Sequence, residues 1–184
     1  MGDLNKVKEM IETDEKVVKT KITFLQDGKQ KYRYLLEKWW EENTDNFATI
    51  IMLNPSKADS IKMDLTIMNV MNYFVDNGLG GMKVLNLFSF MSTNPDNLKD
   101  RNEDYEALNL EYIKDVFKDS EIIIIAWTRG EKITEKRKLK ETLSLYSDKL
   151  KCFKDNKGKI MRHPSRGFNN KWTLVDYGFE IEGL

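Results

Sequence analysis

Three short apolar runs constrain this chain more than any other feature: FATIIMLN (47–54), KVLNLFSF (83–90) and EIIIIAW (121–127). A strand that is apolar at every position, not at alternate ones, is buried on both faces, as in a sheet covered by helices on each side. Each run is followed by turn chemistry and then by a segment of helical period. Asn54-Pro55 opens a loop through PSKADS, after which Ile67, Val70, Met71 and Phe74 share one face of a predicted helix over 66–74. STNPDN follows the second run, and Tyr105, Leu108, Tyr112, Ile113 and Val116 mark a helix over 105–117. The third run breaks at Thr128-Arg129-Gly130, and 132–150 reads as a surface helix, its Lys132–Lys140 stretch a solvated face balanced by glutamates. KCFKD (151–155) reads as a last short strand. Upstream, KVVKTKITFL (16–25), an Asp27-Gly28 turn and Tyr32–Trp39 form a β-hairpin, and 2–15 a short peripheral helix.

Alternating strands and helices imply right-handed crossovers. The expected fold is therefore α/β, a three-layer α/β/α sandwich with a mainly parallel central sheet and an N-terminal β-hairpin, in one domain spanning 1–184. The 184 residues, 40% of them hydrophobic, suffice for such a core. Thirty basic residues balance thirty acidic ones, so no global positive field holds a nucleic-acid backbone, although a local basic patch is compatible with neutrality. One cysteine, Cys152, and one histidine, His163, make neither an internal disulfide nor a usual zinc site. With no apolar run of membrane length and no signal-like start, the expectation is a cytoplasmic protein that uses no membrane, metal or cofactor.

In sheets of this kind ligands bind beyond the carboxyl ends of the strands. The residues there are Asn54, Pro55, Ser56 and Lys57 after the first run, Asn86, Phe88 and Phe90 in the second, Trp127 and Arg129 after the third, and His163, Pro164, Ser165 and Arg166 in the last loop. His163, in a polar loop with a rigid proline, can donate to developing negative charge or to a base carbonyl. Asn54 either closes a turn or offers its amide to a ligand. Asn86 interrupts an apolar strand and needs a partner: backbone, or the edge of a base, with Phe88 or Phe90 as a stacking face or merely as core. Asp64, with Thr66, reads as a helix start, and its carboxylate could instead polarise a water; Ser56 and Asp59 are capping candidates. Arg129 could meet a phosphate, exposure being the plainer reading.

Leu-Asn-Pro-Ser, Val-Leu-Asn-Leu, Ile-Ala-Trp and His-Pro-Ser, in that order, span about three quarters of the chain and resemble the uracil-DNA glycosylase superfamily. LNPSKAD, Asp64-x-Thr66, VLNLFSF, the AW strand and the RHP loop resemble more closely the domain of unknown function family 1643, found in bacteria and phages. The glycosylase resemblance implies that Asn54 positions an attacking water, Asn86 reads the base edge, His163 stabilises the leaving base, and Ser165 and Arg166 belong to a loop that enters DNA. Met52 stands where the glycosylases carry glycine, and Asn54 is not acidic. Two functions follow as expectations. One is N-glycosidic hydrolysis of a modified or mispaired base in single-stranded or flipped-base DNA, or of a nucleotide with Asp64 as base. The other is non-catalytic binding that senses or sequesters a free nucleotide. Oligomeric state is not legible.

Overall fold

The three apolar runs become neighbours in one sheet of the computed structural model, which describes residues 8, 10–42, 45–56, 60–92, 98, 99, 101–128, 130, 132–165, 167–169 and 171–184. The elements in chain order are β1 (Lys19–Asp27), β2 (Gln30–Trp39), β3 (Phe47–Met52), α1 (Leu65–Asp76), β4 (Gly81–Asn86), α2 (Glu103–Lys118), β5 (Ile123–Ile125), α3 (Ile133–Ser144), β6 (Leu150–Lys154), β7 (Thr173–Asp176) and a short α4 (Phe179–Glu182). The sheet order is β1-β2-β4-β3-β5-β6-β7. Strands β4, β3, β5 and β6 run parallel, with Ile50 opposite both Val84 and Ile124.

The expectation of a mainly parallel sheet is corrected: β1 on β2, β2 on β4 and β6 on β7 are all antiparallel, so the sheet is mixed. A parallel neighbour needs a crossover long enough to return the chain to the same end, usually by a helix. The Gly28 turn of the hairpin is too short for that, and no helix lies between β6 and β7 among the described residues. KCFKD is also not the last strand, since β7 follows it. The helix read over 2–15 falls largely outside the described residues; from Ile11 to Val18 the chain is irregular.

Alternation along the strands divides the core. Ile51, Leu85, Ile123 and Ile125 pack with Ile113, Val116 and Phe117 of α2 and Leu139 and Leu143 of α3. Ile50, Met52, Val84 and Ile124 face the other way, onto Ile67, Val70 and Phe74 of α1. Helices thus cover both faces. Helix α1 starts where Asp64 Oδ1 accepts from the Ile67 amide at 2.9 Å, and α2 where Asn102 Oδ1 accepts from Asp104 and Tyr105. The solvated-face reading of Lys132–Lys140 fails at Lys136, which is fully buried because it shares a stripe with Leu139 and Leu143. Its Nζ donates to the Thr128 carbonyl oxygen at 2.5 Å and lies 5.3 Å from the Trp127 ring centroid.

One irregularity shapes the site. Leu35 pairs with Thr23 and Arg33 with Phe24, so Tyr34 is an extra residue in β2. Such a bulge reverses the alternation beyond it. Leu36 packs toward α1, whereas Leu35, Tyr34 and Tyr32 belong to the clusters on the α2 side. Tyr34 stacks on Tyr112 of α2, their centroids 5.1 Å apart. Arg33, between the two tyrosines, is thereby turned to the α1 side.

Candidate functional site

The chain steps from β3 to β4 on one side and then crosses back to β5 on the other, so the switch point lies at the carboxyl end of β3. Asn54 stands there, half-buried. Its Nδ2 donates to the carbonyl oxygens of Ser92 at 2.7 Å and Pro55 at 3.2 Å. Two carbonyl acceptors fix which way the amide faces, because its own oxygen would be repelled there. Oδ1 is left as an acceptor with no partner among the described residues. Pro55 is buried beside it, and Ser56 donates its Oγ proton to Asp64 Oδ2. With Oδ1 held by the Ile67 amide, both oxygens of Asp64 are engaged, and Thr66 sits half-buried in the first turn of α1.

Asn86, at the end of β4 and opposite Met52 of β3, is 1% exposed. The partner that its burial demands is Arg33, absent from the sequence reading. Arg33 Nη2 donates to Asn86 Oδ1 at 3.2 Å, and Arg33 is 2% exposed. A guanidinium only donates, so it fixes the amide with Nδ2 pointing away, and that Nδ2 has no hydrogen-bond partner among the described residues. Burial pulls the Arg33 pKa down to about 10, and the Asp64 charge opposes that pull. Arg33 stays a cation at neutral pH. The lone signal for it in sequence was an arginine between two tyrosines in a strand whose neighbours are apolar.

The loop carrying His163 is gripped from several sides. Met161 is 3% exposed in the α2/α3 core and holds φ at +59°, a left-handed conformation costly for a residue with a side chain. On the α1 side, Asn69 Nδ2 donates to the carbonyl oxygens of Pro164 at 3.1 Å and Ser165 at 3.0 Å. The helix that begins at Asp64 therefore also holds the His163-Pro164-Ser165 backbone. Pro164 is buried, and His163 and Ser165 are half-buried. At the root of the loop, Asp155 accepts from the amides of Lys157 and Lys159, both at 2.9 Å, and pairs with Arg162 Nε at 3.2 Å. Burial raises the Asp155 pKa, but those amides and Arg162 outweigh it, and the net shift is downward.

A lowered carboxylate pKa gives stability above the unfolded value that is lost as pH falls through the folded one. Asp155→Asn should therefore be less stable than wild type in urea at neutral pH, with the gap closing as pH drops below the ordinary carboxylate range. A gap unchanged by acid would show that the ionised form is not what anchors the loop.

A family model described as a protein of unknown function (DUF1643) matches residues 33–165. The chain belongs to this family. The DUF1643 match opens on Arg33 and closes on Ser165, enclosing Asn54, Asp64, Asn86 and His163. No curated protein matches the chain. Solved structures with some likeness to it include a candidate hydrolase from Agrobacterium vitis S4, with TM-score 0.40, 13% identity, and 74% of this chain and 50% of that one covered. Est1E from Butyrivibrio proteoclasticus gives 0.37, 11%, 70% and 47%. Alpha/beta hydrolase domain-containing protein 10 from mouse gives 0.34, 12%, 71% and 46%. The chain spans about half the length of these proteins, and likeness this slight carries nothing about activity.

The remaining candidates of this DUF1643 chain lie elsewhere. Phe88 and Phe90 pack with Tyr32, Tyr34 and Leu98 on the α2 side, away from the Asn86 amide. Phe90 sits 5.2 Å from the Tyr32 ring, and Arg101 lies 4.9 Å from the Phe88 ring. Trp127 is wholly buried between the sheet, α2 and α3. Lys57, Asp59, Arg129 and Arg166 lie outside the described residues. Among the described residues no group of three or more His, Cys, Asp or Glu could hold a metal ion, and no helix is long and apolar enough to cross a membrane.

Proposed function

We propose that the Arg33–Asn86 end of the site recognises an acceptor on a nucleobase, in a nucleotide or in an unstacked DNA strand, with Asn54 and His163 placed to act on its N-glycosidic bond. The observation that carries this reading is the buried Asn86 Nδ2, a donor without a partner whose direction Arg33 fixes. A buried donor left unmade costs about 1–3 kcal/mol, which a ligand carbonyl or ring nitrogen would recover. The uracil-DNA glycosylase likeness of the motifs supports the choice of a base. In hydrolysis, Asn54 Oδ1 accepts a proton-bearing arm of a water and aims its oxygen at the sugar carbon. The new C–O bond replaces the C–N bond, whose electron pair leaves on the base. The departing anion is stabilised by donation from His163, and the proton that the attacking water gives up passes through solvent to the released base, so that an alcohol and a neutral base result.

A second reading, a receptor that binds a nucleotide and returns it unchanged, is favoured by one observation. Asp64 has both oxygens engaged and is poorly placed to take the proton of the attacking water. A thermal-shift and mass-spectrometric screen against nucleobases, nucleosides, nucleotides and base-modified oligonucleotides separates the readings. Release of a base, abolished in His163→Ala, supports hydrolysis. Stabilisation by a nucleotide recovered intact supports the receptor. Stabilisation by no member of the panel would overturn both.

A further inference from the structure

On the opposite face of the sheet, between α2 and α3, lies a cavity of about 310 Å³. That is at the small end of ligand pockets, which run from about 300 to 1,000 Å³. Its floor is apolar, formed by Leu87, Leu110, Ile113 and Leu139, and Phe88 lines it as well. The polar groups around it are Glu103, Glu106, Glu135, Arg101, Lys138 and Asn109.

Hydrogen-bond acceptors are in excess there. Both cations are already directed to Glu135: Lys138 Nζ lies 3.0 Å from its Oε2 and Arg101 Nη2 lies 3.9 Å from its Oε1. Arg101 also donates to the Leu98 carbonyl oxygen at 2.7 Å. Glu106 accepts from the amides of Ser89 and Phe90 at 2.8 and 3.1 Å, without a cation in hydrogen-bond contact. Asn109 supplies an independent sign. It is 1% exposed, and its Nδ2 donates to the carbonyl oxygens of Asn86 at 3.0 Å and Leu87 at 3.3 Å. Its Oδ1 is a buried acceptor with no partner among the described residues. Native proteins seldom leave such an acceptor unmade, and an apolar floor beneath surplus acceptors is complementary to a molecule with an apolar body and N–H donors.

We propose that this cavity is a second binding site, taking a small organic amine whose ammonium group meets Glu106 and the Asn109 carbonyl oxygen while its apolar body rests on Leu110 and Leu139. Burial raises the Glu106 pKa, and a cation beside it would relieve the cost of keeping that carboxylate charged. The site is independent of the nucleobase reading, although Asn109 touches both: its amide holds the backbone of Asn86.

The test uses the full chain and three probes of similar size: 2-phenylethylamine, 2-phenylethanol and phenylacetate. In calorimetric titration the amine should bind at least about tenfold more tightly than the alcohol, and phenylacetate should not bind. Ala107→Phe, which fills the cavity from a solvent-facing turn of α2, should fold with an unchanged circular dichroism spectrum and lose amine binding. Glu106→Gln should weaken the amine at least about tenfold while leaving the alcohol unaffected. Equal binding of amine and alcohol, absence of amine binding, or full amine binding by Ala107→Phe would each overturn the proposal.

Discussion

Arg33→Met is expected to fold and to lose about tenfold or more in affinity for whichever nucleobase or nucleotide stabilises the wild type. The side chain is buried and donates to Asn86 Oδ1, and methionine replaces its volume without its donors. Asp64 is not stranded by the change, since Ser56 and the Ile67 amide still hold both its oxygens. The folding cost includes the orphaned Asn86 oxygen, about 1–3 kcal/mol. Ligand binding is weakened as well, because an amide freed from Arg33 can turn over and offer oxygen where nitrogen stood. Titration calorimetry should show weaker binding and reduced discrimination between bases differing in acceptor position. Wild-type affinity in Arg33→Met would mean that Asn86 is oriented by its surroundings and that Arg33 has no part in recognition.

Trp127→Ala should produce the largest loss of stability among substitutions at the candidate positions. Trp127 is wholly buried in the core shared by α2 and α3, and truncating a buried aromatic costs about 3–5 kcal/mol. For a chain of this size that lowers Tm by roughly 6–20 °C. The Lys136 ammonium, also buried, would lose the ring beside it. Trp127→Phe should retain most of the stability and all of the ligand-induced shift. A variant that melted like wild type yet failed to bind nucleotide would instead return Trp127 to the ligand.

The central strands were legible because complete apolarity has few outlets other than a doubly covered sheet, and Ile67, Val70 and Phe74 announced α1 by their spacing. Asp64 was legible as a cap for the same reason of local chemistry: a carboxylate before a helical period satisfies free amides. Pairing was less readable than burial. IIIIAW (122–127) is apolar throughout, yet β5 comprises Ile123–Ile125, after which Ala126 and Trp127 remain buried as the chain leaves the ladder. Strand β7 was missed because WTLVD follows a polar loop and its own residues are exposed or half-buried, so no apolar run marks it. Lys136 escaped because its neighbours in sequence are charged, whereas its neighbours in space are Leu139 and Leu143.

Arg33 escaped for a different reason, and it touches how the site is specified. Side chains along a regular strand keep strict parity, so from Leu36 one would assign Tyr34 to the α1 face and Arg33 to the other. The supernumerary Tyr34 shifts the phase, and the aromatic stack on Tyr112 locks that shift. A cation is thus delivered into an interior that ordinary alternation would have filled with tyrosine. Deleting the single codon for Tyr34 would restore regular pairing and remove the stack on Tyr112 while leaving Arg33, now directly before Leu35, on the α1 side. Ironing out the bulge with the chain length kept would instead turn the guanidinium toward α2 and take the donor from Asn86. Which face each letter of β2 takes is set by that one looped-out residue as much as by the order of the letters.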